Sequence, residues 1–372
     1  MHDNASSRRL FLAGALALPA APAAESALRK KKLGRTGLEV TTVSYGTMIT
    51  SDASVIERAA DMGINYFDTA RGYQSGNCER MVGTALKSRR KGLYLSTKSN
   101  KEDKEGSLAE LETSLRELQT DYVDIWYLHA KSRASQITDE RLEAQRIAKQ
   151  KGMVRFTGVS THGGFADIIP AAIKSGAFDV ILSSYNFTMG AEIDPYLTQA
   201  KQAGLGVVAM KVMAGGFRRA KPGDRLYQTF KKDGAFPAAL RWALRSPHID
   251  TTIPSITDHD QLEENFRCMG AAFTAADEQT LALQRELIRP LYCHACGVCV
   301  DSCRHNLPVP DLLRYVMYAE GYGEFPLARE QYRALPAAVQ QVRCEDCVRC
   351  TVRCPNGVAV AARLSRAQEM LA

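Results

Sequence analysis

Eight of the ten cysteines stand in two runs near the C-terminus, CHACGVCVDSC from Cys293 to Cys303 and CEDCVRCTVRC from Cys344 to Cys354. Both have the spacing C-x2-C-x2-C-x3-C. Three thiolates that close together wrap one iron–sulfur cluster, and a fourth can reach the same cluster or its neighbour. The ligands expected are Cys293, Cys296, Cys299, Cys303, Cys344, Cys347, Cys350 and Cys354, and the groups expected are two [4Fe–4S] clusters. Zinc and disulfides compete for the same residues. Zinc usually takes two C-x2-C pairs rather than triplets, and a disulfide scaffold has no need of one triplet spacing twice. Pro355 follows the second run; Arg304 follows the first and removes no ligand. Cys78 and Cys268 lack partners at metal spacing and read as ordinary buried residues. Whether the fourth cysteines cross over stays open at this level.

Four other residues could move a proton. Asp68 and Tyr73 stand five apart in INYFDTARGY, Lys98 lies at the end of GLYLSTKS, and His129 ends YVDIWYLH. The chemistry open to them is proton donation to a developing alkoxide. A free tyrosine has a pKa of about 10, too high for an effective acid near neutrality. A nearby ammonium stabilises the tyrosinate and lowers that value. Lys98 can supply the charge, Asp68 can hold Lys98 in place, and His129 can orient or polarise a carbonyl oxygen. Singly, each has a plainer reading: a helix cap, a solvated lysine, a structural histidine. The joint pattern is more specific than any member.

These residues need a scaffold that brings several strand ends together. From Val40 to Phe266 short apolar or β-branched runs alternate with amphipathic helical segments. The runs are VTTVSYG, INYFDTA, GLYLSTKS, YVDIWYLH, RFTGVST, DVILSSYN, GVVAMKV and TTIPSI. Several of the intervening helices end in Gly, a stop signal. Such alternation predicts an α/β chain with a (β/α)8 TIM barrel, whose active site lies at the C-terminal ends of its strands. A doubly wound open sheet is the other reading, but it normally carries G-x-G-x-x-G after its first strand. GTMITSDAS stands there instead. The expected layout is a leader at 1–24, the barrel at 32–273, a linking helix at 274–289 and a small, mainly helical iron–sulfur domain at 290–372.

GINYFDTARGY, with Lys98 and His129 on the next two strands, resembles the aldo-keto reductase family over about Lys32 to Phe273. The cysteine runs resemble those of bacterial ferredoxins. The reductase resemblance implies a tetrad of Asp68, Tyr73, Lys98 and His129. It also implies a nicotinamide cofactor lying across the barrel mouth, whose hydride reaches a carbonyl carbon while Tyr73 protonates the oxygen. Its implied contacts are Ser160, Asn186, Lys211, Gly215 and Arg218, then Ser255, Glu264 and Asn265 at the adenosine end. The chain departs from the family at several of its positions. Thr161 stands for Asn, Leu182 for Gln, and Met210 for the Tyr that stacks on nicotinamide. Gln261 stands where an Arg would meet a 2′-phosphate, so NADP and NAD remain alternatives; Gln cannot make a charge-assisted bond.

The chain of 372 residues begins with a leader-like stretch. Arg8 and Arg9 precede an apolar segment, Leu10 to Ala24, shorter than the roughly 20 residues of a spanning helix. It reads as a twin-arginine export signal, so a periplasmic or other extracytoplasmic location is expected. A retained amphiphilic anchor is the alternative. No other segment has the length and apolarity to span a bilayer. The net charge of +7 falls to about +6 without the leader, and acidic residues are interspersed throughout. That balance argues against nucleic-acid binding. The combined expectation is an exported oxidoreductase that exchanges electrons between a small carbonyl or alcohol, a nicotinamide and the two clusters, with a redox protein as a further candidate partner. The other class is an electron-transfer or structural protein whose barrel no longer turns over.

Overall fold

The computed structural model of the chain describes residues 28–215 and 234–372. Eight strands run in chain order: β1 (Tyr45–Gly46), β2 (Tyr66–Asp68), β3 (Tyr94–Ser99), β4 (Val123–Leu128), β5 (Val154–Thr161), β6 (Val180–Ser184), β7 (Gly206–Met210) and β8 (Thr251–Thr252). Each pairs in parallel with the next. The ring closes between β8 and β1, where Ser44 N donates to Thr252 O at 2.8 Å and Gly46 N to Pro254 O at 3.0 Å. The eight expected runs each contribute one strand. VTTVSYG is the one that splits: Glu39–Thr41 pairs antiparallel with Lys30–Lys32, and only Tyr45–Gly46 joins the barrel. Leu33, Leu38 and Val40 of that hairpin pack into the barrel interior, which explains the break.

Period-two alternation decides which side chains face inward. Tyr66, Ile125, Tyr127, Val180, Leu182, Val208 and Met210 fill the interior. Phe67, Trp126, Ile181, Val207 and Ala209 face the helices outside. Burying a side chain of this size stabilises by about 1.5–3 kcal/mol, so a one-residue slip of any strand is strongly disfavoured. The helices start at side-chain caps such as Asp52, Asp103 and Thr138, each worth about 1 kcal/mol.

Beyond the barrel, Thr274 caps the helix Ala275–Ile288, which is tied to the helix Ala235–Leu244 by an Arg241–Asp277 bridge of 2.5 Å. The C-terminal module carries the helices Val309–Glu320, Phe325–Arg333, Ala337–Gln341 and Val360–Leu371, with the cysteine runs in the intervening loops. Leu312, Leu313, Leu364 and Leu371 join the same hydrophobic cluster as the outer layer of the barrel. Among the described residues no helix is long and apolar enough to cross a membrane. The leader expected at 1–24 falls outside the described residues.

Candidate active site and cluster sites

The ends of β2 and β3 place Asp68 and Lys98 side by side at the barrel mouth. Lys98 Nζ donates to Asp68 Oδ2 at 2.6 Å and to Thr69 O at 2.6 Å. Both side chains are buried, with exposures of 1% and 2%. Burial pushes the Asp68 carboxyl up and the Lys98 ammonium down, and their contact opposes both shifts. Beneath them runs a polar chain that the motif did not reveal. Tyr66 OH lies 3.1 Å from Tyr127 OH and donates to Ser96 Oγ at 2.9 Å, and Ser96 Oγ donates to Asp68 Oδ1 at 2.6 Å. Gly158 makes room for it, because a Cβ there would stand 2.5 Å from the Tyr127 ring.

Tyr73 stands on the loop after β2. Its ring lies edge-on to His129 at 5.7 Å and 4.8 Å from Lys98 Nζ. All four tetrad residues line one cavity of about 200 Å3. The residue pattern alone predicts that Lys98 lowers the Tyr73 pKa. In the structure burial pushes that phenol well up, and the Asp68 charge adds to the shift. The ammonium is spent on Asp68 and the Thr69 carbonyl. Burial also holds His129 well below its usual value, as do the charges of Lys98, Lys131, Arg314 and Lys211. His129 is therefore a neutral hydrogen-bonding group.

The same cavity has walls that sequence reasoning missed. His162 follows β5, and Arg314, Tyr318 and Tyr322 come from the C-terminal module. Arg314 and Tyr318 lie on the helix Val309–Glu320 and Tyr322 just beyond its end; that helix has an ordinary amphipathic pattern, and nothing local marks these residues as facing a barrel.

Of the contacts expected for a nucleotide, Lys211 and Ser255 line the cavity. Ser160 Oγ instead accepts from Ala130 N at 2.8 Å and donates to Leu128 O at 3.3 Å. Asn186 Nδ2 donates to Tyr292 OH at 3.0 Å and to Lys211 O at 3.2 Å. Lys211 Nζ lies 4.6 Å and 5.0 Å from the ring centres of Tyr318 and Tyr322. Gly215 is covered by Gly321, where an added Cβ would meet Gly215 O at 2.0 Å. Of the five positions expected ahead of the adenosine end, four are described: Asn186, Lys211 and Gly215 serve as docking points for the C-terminal module, and Ser160 is bonded internally. This arrangement does not fit a nicotinamide held by those groups. At the adenosine end Asn265 is fully buried, Glu264 and Asn265 both have partners, and Gln261 bonds Thr257 and Asp258. Arg218 lies outside the described residues.

The eight cysteines of the runs sort into two sets across the runs. Cys293 lies among Cys296, Cys299 and Cys354, and Cys344 among Cys303, Cys347 and Cys350. The second set lines a hollow of its own. Each fourth cysteine therefore joins the other run's triplet, which answers the question the spacing left open. All ten cysteines are free of disulfides. Among the described residues no three thiol, imidazole or carboxylate groups converge as a single metal ion requires. Four thiols per set suit a [4Fe–4S] cluster. The first set adjoins the active site: a hollow lined by Cys293 is also lined by His162, Lys211 and Arg314. The first run is held against the barrel by Gly164 N donating to Ala295 O at 3.0 Å and by a His294–Glu192 contact of 2.9 Å.

A parallel eight-stranded barrel with this constellation at its strand ends defines an oxidoreductase-type scaffold. The chain matches the Aldo/keto reductase family over residues 46–236 and a 4Fe-4S dicluster domain over residues 292–359. It belongs to the aldo/keto reductase family and carries a C-terminal dicluster domain. It is 26% identical over 306 residues to the uncharacterized oxidoreductase YqkF of Bacillus subtilis, covering 71% of this chain and 98% of that one. It is 27% identical over 307 residues to L-galactose dehydrogenase of Arabidopsis thaliana, covering 70% and 94%. Among solved structures, the holo form of an aldo-keto reductase from Bacillus halodurans matches with a TM-score of 0.60 and 25% identity, covering 69% of this chain and 96% of that one.

Proposed function

We propose that this chain interconverts a small carbonyl and an alcohol at the barrel mouth, with Tyr73 as the proton-transfer group and electrons exchanged through two [4Fe–4S] clusters. The observation that carries this reading is the hollow shared by Cys293 and by His162, Lys211 and Arg314 of the active-site cavity. Each cluster, when bound, carries one electron at a time, so two electrons and two protons account for one carbonyl reduced to one alcohol. Tyr73 gives one proton to the developing alkoxide, and solvent supplies the other. His129, neutral, orients the carbonyl oxygen. Asp68 and the Thr69 carbonyl fix Lys98 4.8 Å from the Tyr73 ring centre, and burial keeps the phenol protonated, ready to donate. Tyr318 and Tyr322 help close the cavity to water.

Nicotinamide dependence is the second reading. Family membership and the tetrad favour it, while the engagement of Ser160, Asn186, Lys211 and Gly215 within the protein weighs against it. Export by the twin-arginine route to an extracytoplasmic compartment belongs to the same reading, supported by Arg8, Arg9 and the short apolar segment after them. Clusters are assembled in the cytoplasm and need a folded protein to hold them. Free nicotinamide nucleotides are expected to be scarce outside the cytoplasm, which also favours electrons arriving through the clusters.

The test is anaerobic purification with clusters in place, at about eight irons per chain. The protein is reduced with dithionite, and separately with NADH and NADPH, while the visible cluster absorbance is followed. Small carbonyls are then added. Reoxidation of dithionite-reduced clusters by a carbonyl, lost in Tyr73→Phe, is expected. Reduction by a nucleotide followed by turnover would replace this reading with the second. Clusters that no carbonyl reoxidises would leave the barrel without a reductase role.

A further inference from the structure

The charges lining the cavity do not balance. Arg71 is paired with Glu79 at 2.6 Å, and Lys98 with Asp68. Arg314 is paired with a half-exposed carboxylate, and Lys211 with none among the described residues. Lys211 follows β7 with φ of 56°, in the left-handed region that costs a non-glycine residue energy. That backbone holds its ammonium under the Tyr318 and Tyr322 rings. Among the described residues no carboxylate pairs with it. Arg314 reaches the cavity from the helix Val309–Glu320, and its side chain is only 19% exposed. Its one carboxylate, Asp311, lies a turn earlier on the same helix at 2.8 Å and is 44% exposed. The remaining acid of the cavity wall, Glu110, accepts a hydrogen bond from Ser99. Burial pushes the Lys211 ammonium well down, and the Arg314 charge adds to that shift. Two partly buried cations that repel each other across a cavity are stabilised by an anion between them.

We propose that Lys211 and Arg314 form a subsite for a carboxylate of the substrate, so that the barrel acts on small oxo acids or the matching hydroxy acids. The inference rests on the carbonyl–alcohol reading above and names its substrate class. Neither half of the chain completes the subsite alone: β7 brings the lysine and the dicluster domain brings the arginine. Guanidinium matches a carboxylate through two parallel hydrogen bonds. The neutral imidazoles of His129 and His162 leave the carbonyl end of the molecule for Tyr73.

A nucleotide phosphate would present a similar oxyanion, so the test separates the two. Binding of pyruvate, methyl pyruvate and inorganic pyrophosphate to the cluster-loaded protein is measured by titration calorimetry, without turnover. Pyruvate should bind, and its neutral ester should bind at least about tenfold more weakly, the scale of a lost charge-assisted bond. Arg314→Gln and, independently from the barrel side, Lys211→Met should each lower pyruvate affinity by about tenfold or more while iron content stays unchanged. Equal binding of acid and ester, or unchanged affinity in both variants, overturns the subsite. Binding of pyrophosphate but not pyruvate, lost in Arg314→Gln, overturns the carboxylate assignment. Pyruvate that binds through Arg314 yet never reoxidises the clusters leaves the subsite standing and removes the catalytic reading.

Discussion

Replacing Lys98 with methionine leaves Asp68 buried with only the Ser96 hydroxyl as donor. The size of the effect can be bounded. Breaking one side of a buried pair costs about 3–5 kcal/mol, because a charge stays buried without compensation. The carboxyl can escape by binding a proton. With an unfolded pKa near 3.9, protonation at pH 7 costs about 4 kcal/mol, which is the ceiling on the loss. In the variant the folded pKa of Asp68 is raised, so the folded state holds the extra proton between pH 4 and that raised value. Variant stability therefore falls as pH rises through this window, by about 1.4 kcal/mol per unit. The expected loss relative to the parent is about 3–4 kcal/mol at pH 7 and about 1.5 kcal/mol at pH 5. The chain has two tryptophans, Trp126 on β4 and Trp242 on a barrel helix, so tryptophan fluorescence in urea reports barrel unfolding. The double variant Asp68→Asn/Lys98→Met should recover most of the loss. A loss under about 1 kcal/mol at pH 7, or one that does not shrink at pH 5, would refute the reasoning.

Other perturbations reach other parts of the machinery. Tyr73→Phe should slow carbonyl-dependent reoxidation of reduced clusters by about 100-fold or more, with their absorbance unchanged; stopped-flow absorbance would show it. Cys354→Ser should alter the cluster that Cys293→Ser alters, and Cys303→Ser the one that Cys344→Ser alters. Electron paramagnetic resonance of the reduced proteins checks that grouping. Gly163→Ala places a Cβ 2.2 Å from Ala295. It should cost about 1–3 kcal/mol and slow electron exchange between cavity and cluster while total iron is retained. Desolvation keeps His129 and His162 neutral, so their stabilisation is complete above pH 6.5. It is lost as pH falls below that value, by up to about 1.4 kcal/mol per unit for each. The pH dependence of the urea midpoint measures this, and His129→Gln should flatten it.

Much of this protein was legible in local spacing. The cysteine triplets are set by the size of a cluster, and three ligands within seven residues need no help from the rest of the chain. The eight strands were legible because period-two apolar runs between helices admit few arrangements. Asp68, Lys98 and His129 could be placed because a strand end in such a barrel is a defined position. What the sequence left undetermined depends on contacts between distant segments. Cys354 joins Cys293 because two loops some 60 residues apart fold against each other. Tyr66, Ser96 and Tyr127 form one polar chain because neighbouring strands bring them into register inside the barrel. Ser160, Asn186 and Gly215 match positions of a nucleotide site in sequence, yet their polar groups and surfaces are taken up by packing. Arg314 and Tyr318 sit on a helix whose pattern says only that one face is buried. That this face is the mouth of the barrel was decided by the docking of Tyr292, Ala295 and Gly321, and no residue-by-residue pattern encodes such a contact.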